Sequence, residues 1–148
     1  LENALNSRPL RKTSFVLLHG GWPYHALAQA MMDKPNTYVD FSAQTFYLGT
    51  HQLAEVLREW LSWHPEKVLC STDAYSDVDS PLSDWEEKEV LLAGKSRRAL
   101  AIALTAMMQN NEITRERALE IARLVLRENA MKLYGLAPNV AAAAPAAQ

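Results

Sequence analysis

The residues able to do chemistry lie just behind three apolar runs. Ser14-Phe15-Val16-Leu17-Leu18 leads into His19-Gly20-Gly21, Thr37-Tyr38-Val39 into Asp40 and Ser42, and Lys67-Val68-Leu69-Cys70-Ser71-Thr72 into Asp73. An imidazole and carboxylates gathered by neighbouring strand ends can ligate a metal or exchange protons. Spacing alone does not choose between these roles. Each residue also has an ordinary structural reading. A histidine behind a strand often only hydrogen-bonds its own turn, and Asp73 after Ser71-Thr72 is a good turn former. Ser42 reads as a plain strand-end residue. Asp40, if it faces inward, is buried and needs partners. Trp22 follows the Gly-Gly turn and either lines a pocket or packs. His25, His51 and His64 lie on or beside helices and read as solvated or structural. Trp60, Trp63 and Trp85 read as core, as does Cys70.

The elements that must position these residues alternate along the first half of the chain. Strands are expected near 14–18, 37–42 and 67–72, where short apolar or β-rich runs end at turn residues. Helices are expected near 24–34, which is rich in helix formers, and near 51–63. In the latter Leu53, Val56, Leu57, Trp60 and Leu61 recur at spacings of three and four. Strand–helix alternation predicts parallel strands with helical crossovers, an α/β fold whose strand C-terminal ends share one face. The second half reads as two helices, near 84–109 and 114–134. Ser83 and Glu86 fit a capping box for the first. Thr114 is placed to cap the second and Gly135 to end it in the left-handed conformation. Asn129 is placed to tie that helix to the sheet. Residues 137–148 are an Ala/Pro-rich tail.

Composition narrows the function classes. The 148 residues carry 15 Lys and Arg against 17 Asp and Glu, a net charge of −2, and 49% are hydrophobic. That is a globular balance with no basic surplus for nucleic acid. Ala99–Met108 is the longest apolar segment and is far short of the ~20 residues of a membrane span, so no membrane partner is expected. Cys70 is the only cysteine, which excludes an intrachain disulfide and fits a cytoplasmic location. The chain starts at Leu1 in mid-pattern, so a preceding part is expected.

Phe15-Val16-Leu17-Leu18-His19-Gly20-Gly21-Trp22-Pro23-Tyr24 resembles a strand-end motif of the amidohydrolase superfamily. The closer similarity is to the amidohydrolase-related family. That family includes aminocarboxymuconate-semialdehyde-decarboxylase-like enzymes and the domains fused to glutamine-synthetase-like proteins. Asn36-Thr37-Tyr38-Val39-Asp40-Phe41-Ser42 is similar to the family's next strand, and 67–74 to its last. Asn129-Ala130-Met131-Lys132-Leu133-Tyr134-Gly135 resembles the closing helix. The resemblance is collinear from about residue 12 to 136. It implies a metal-dependent hydrolase of the (β/α)8 barrel type, with this chain as the C-terminal portion, strands six to eight plus helices. It further implies that His19 and Asp73 are catalytic and metal-binding. His19 would ligate metal or contact the metal-bound water, and Asp73 would bind metal and take a proton from that water. The implied cofactor is a divalent metal, zinc first, with manganese or iron as alternatives. Trp22 and Tyr75 are loop residues that could touch a small-molecule substrate. No role transfers to Asp40.

The family's His-x-His pair from its first strand is absent, as is the ligand from its fourth or fifth strand. Two ligands cannot hold a catalytic metal tightly, so the expected activity belongs to an intact parent and the fragment is expected to be inactive. The parent would hydrolyse a C–N or C–O bond, or decarboxylate. A three-strand piece also leaves strand edges open, which predicts homo-oligomers through those edges. The rival reading is a non-catalytic α/β module that self-assembles or binds a partner. A serine hydrolase, suggested by His19-Gly20-Gly21, lacks its Gly-x-Ser-x-Gly elbow.

Overall fold

A computed structural model describes residues 2–75 and 85–136. Among them the chain is mixed α/β, with a small parallel sheet and mostly helices. The order is α1 (Glu2–Leu5), β1 (Phe15–Leu17), α2 (His25–Met32), β2 (Thr37–Asp40), α3 (Gln44–Tyr47), α4 (Thr50–Leu61), β3 (Val68–Leu69), α5 (Trp85–Gln109), α6 (Arg115–Arg123) and α7 (Asn129–Tyr134). A π-helical turn, Leu124–Glu128, joins α6 to α7. The Ser83 capping expectation and the 137–148 tail lie outside the described residues.

The sheet has the order β1-β2-β3, parallel throughout, with Leu17 opposite Val39 and Asp40 opposite Leu69. The strands are shorter than their apolar runs. Beyond Leu17 the chain turns into a 3-10 segment, Leu18–Gly21, and Cys70 turns its N–H away from the sheet to the Val125 carbonyl (3.1 Å). In parallel pairing alternate residues turn their backbone groups to opposite sides. Phe41 N–H bonds the Leu69 carbonyl (3.3 Å), so Val68 and Cys70 face outward. Asn129 Nδ2 donates to that Val68 carbonyl (2.9 Å) and to Pro65 (2.8 Å). The outer edge of β3, expected open, is therefore bonded by the last helical segment.

The core lies between this sheet, α4 and α5. Leu53, Leu57, Trp60 and Leu61 of α4 pack in one core with Ala99, Leu100, Ala103 and Met107 of α5, with Val39 and Val68 of the sheet, and with Phe41 just past β2. Trp60 is fully buried, whereas Trp63 and Trp85, expected in the core, are 66% and 49% exposed. Trp63 lies beyond the last residue of α4 and Trp85 at the first of α5, where each escapes the packed face. Thr114 caps α6 through the Arg117 N–H (3.2 Å), and Gly135 ends α7 at φ 63°. Lys67 Nζ donates to the carbonyls of Met32 (2.5 Å) and Lys34 (2.9 Å), closing the C-terminal end of α2. Burial lowers the Lys67 pKa.

Candidate active site at the strand ends

The backbone behind each strand enters the left-handed region at a residue that is not glycine. His19 (φ 57°) follows β1, Ala43 (φ 50°) follows β2 and Asp73 (φ 60°) follows β3. Such residues are uncommon, and they persist where surrounding contacts over-determine them.

His19 is held at three points. Its N–H donates to Asp40 Oδ1 (3.0 Å), and its carbonyl accepts from Gln44 Nε2 (2.9 Å). Its ring Nδ1 lies 2.9 Å from Ser42 Oγ. Asp40 is buried, as the inward reading of β2 required, and its Oδ1 is the hub of the turn. Besides His19 N–H it accepts the Ser42 N–H (3.0 Å) and the Ser42 hydroxyl (2.5 Å). The bond from Asp40 to the backbone two residues on is an Asx turn, the local structure that ends β2. His19 Nε2 makes no hydrogen bond among the described residues.

The core fixes this turn from below. Gly20 is buried, with φ 57°. A Cβ there would collide with the Gln44 amide and the Trp60 ring. Gln44 is fully buried, and Trp60 Nε1 donates to the His25 carbonyl (3.1 Å). The β1 turn thus rests on the same tryptophan that anchors α4.

Asp73 leaves the same end of the sheet, four residues past Leu69, and is exposed. No hydrogen bond or ion pair joins it to His19 among the described residues. Its neighbour Thr72 hydrogen-bonds Glu89 of α5 through its hydroxyl, which steadies this loop. Tyr75 is exposed, with Lys88 Nζ 4.1 Å from its ring centre and bonded to its carbonyl (3.2 Å). Trp22 stacks on Tyr47, with centroids 5.7 Å apart and planes 5° from parallel, and both rings are partly exposed. They form an aromatic wall just past the β1 turn. The remaining histidines stand apart: His51 is exposed, His25 is half-buried, and His64 pairs with Asp33 (2.9 Å).

The structure therefore brings His19, Asp40 and Ser42 into contact, and among the described residues no side-chain hydrogen bond joins Asp73, Trp22 or Tyr75 to them. Gln44 is the residue that sequence reasoning missed, and Ser42, read as a plain strand-end residue, is instead the link between Asp40 and the His19 ring. The Asp-x-Ser spacing at a strand end, an Asx-turn pattern, was the available signal for Ser42. Gln44 has none.

Among the described residues no three His, Cys, Asp or Glu side chains are grouped so as to hold a metal ion. His19 offers one nitrogen and Asp73 one carboxylate, short of the three protein ligands of a catalytic zinc site. The described donor set does not by itself fit a metal. A cavity of about 370 Å³ lies among Leu61, Pro65, Met107, Ile113 and Ile121. It adjoins the start of β3, away from these groups.

The family model described as amidohydrolase matches residues 6–136. Protein fluG of Emericella nidulans is 30% identical over 127 residues, which are 84% of this chain and 14% of that protein. The chain thus spans a small part of the length of this curated relative. No solved structure matches it. With the family match running from before β1 to the end of α7, the chain belongs to the amidohydrolase family.

Proposed function

We propose that the chain is the C-terminal part, strands six to eight, of a (β/α)8 hydrolase of the amidohydrolase-related family. The parent acts on a C–N or C–O bond of a small molecule, or decarboxylates it, and depends on a divalent metal, zinc first. His19 and Asp73 contribute to that metal site, and the other ligands come from parts of the parent outside this chain. Asp73 is the carboxylate that accepts a proton. Trp22 and Tyr75 flank the substrate. One observation supports this reading above the others: His19, at the end of β1, is fixed through its N–H, its carbonyl and its Nδ1, while Nε2 is left out of those contacts. A histidine that only completes a turn does not need its ring held.

The test is on the full protein from which this segment comes. Purified protein should contain a divalent metal, and His19→Ala and Asp73→Asn should each lower metal content. Hydrolysis of amide or ester probes should fall by about 100-fold or more in both variants. Full-length protein that carries no metal, with variants indistinguishable from the wild type, would overturn the proposal in favour of a non-catalytic module.

A further inference from the structure

We infer that Asp40 and Ser42 are positioning residues that lock His19 as the tautomer protonated on Nδ1, so that Nε2 presents a lone pair at the strand ends. Proton counting leads there. Asp40 Oδ1 already accepts two backbone N–H groups, from His19 and from Ser42, and these can only donate. That oxygen therefore carries no proton, and the third contact, to Ser42 Oγ, must be donated by the hydroxyl. A serine hydroxyl has one hydrogen. With it committed to Asp40, Ser42 Oγ can only accept from its other neighbour, His19 Nδ1 (2.9 Å). In the neutral ring Nδ1 then holds the proton and Nε2 does not.

The geometry supports the same conclusion from the backbone. His19 occupies a left-handed conformation whose N–H and carbonyl are bonded by buried side chains, Asp40 at 6% and Gln44 at 0% exposure. Main chain and ring are thus aimed together, with Asp40 bonding the one directly and the other through Ser42. A hydrogen bond to the far nitrogen is the usual way a protein sets which imidazole nitrogen faces a ligand. Here a serine stands between carboxylate and ring. The use to which the lone pair is put, on a metal or a proton, rests on the proposed function; the tautomer does not.

The experiment is nitrogen-15 NMR of the four histidines in this chain, at a pH well above the ordinary imidazole titration range. His19→Gln identifies the His19 signals by their loss. In the wild type His19 Nε2 should resonate as an unprotonated ring nitrogen and Nδ1 as an N–H nitrogen. Ser42→Ala should shift the population toward the Nε2–H form, and Ser42→Thr, which keeps the hydroxyl, should restore the wild-type pattern. A wild-type His19 protonated on Nε2 would overturn the inference even if Ser42→Ala failed to fold. So would a tautomer that ignores Ser42→Ala. A full-length protein without metal or turnover would sink the proposed function while leaving this result as it stands.

Discussion

Cys70 sits one residue past β3, with its N–H on Val125 and its thiol half-buried. Burial pushes that thiol from 9.0 up to about 11. The thiolate is the reactive form. At neutral pH the folded chain should therefore alkylate with roughly 100-fold less thiolate than an exposed cysteine provides. Iodoacetamide labelling in buffer and in denaturant compares the two directly. The same shift has a sign for stability. The unfolded thiol ionises first, so the contribution of Cys70 is intact below about pH 9 and is lost as pH rises toward 11. Denaturant midpoints should fall over that window, and the Cys70→Ala variant should show a flatter profile. At this scale the sequence was informative about residue types and poor about partners. His19 and Asp40 stand out as polar residues at the ends of apolar runs. Their contact is set by strand register, with Asp40 one residue and His19 two residues beyond the Leu17–Val39 pair, and register cannot be read from either strand alone. Gln44 lies between the expected strand and the periodic run that begins at Leu53, and its burial depends on Trp60 and Gly20 meeting it in space.

Among the elements, α5 runs unbroken for 25 residues through Gly94. Glycine is a poor helix former, but burial of Leu92, Ser96, Ala99 and Leu100 overrides one poor residue. Gly94 is exposed, and a Cβ added there meets nothing within 4 Å. Gly94→Ala should therefore stabilise the chain by about 0.5–1 kcal/mol, read as a higher urea midpoint at constant slope. Asn129 is the opposite case. It is 3% exposed and its amide satisfies two carbonyls, Pro65 and Val68. Asn129→Ala would leave both without that donor, and should cost about 1–3 kcal/mol. The role of Asn129 was legible as an amide near the end of the last helix, able to bond backbone groups of the sheet. The strand ends were less so: β-rich residues continue past Asp40 and Leu69, and the ladders are cut short by the turn at His19, the Asx turn at Asp40 and the bond from Cys70 to Val125. The π turn at Leu124–Glu128 has no sequence signature, since Leu, Val and Arg continue an ordinary helix as well.

For the whole molecule, strand–helix alternation was enough to give a parallel sheet in chain order, because a parallel neighbour requires a crossover and the intervening helices supply it. What alternation does not carry is the state of the two sheet edges. Val16, midway along β1, turns its N–H and carbonyl away from β2, and no described residue bonds them. On β3 the corresponding groups, the Val68 carbonyl and the Cys70 N–H, are occupied by Asn129 and Val125. Extension of the sheet is thus one-directional. A strand arriving beside β1 forms new bonds outright. One arriving beside β3 must trade places with the end of the α-helical segment, breaking two bonds as it makes its own. Addition of a strand on that side is an exchange of partners with little net gain in hydrogen bonding, and the helical segment that seals the edge acts as a latch over it.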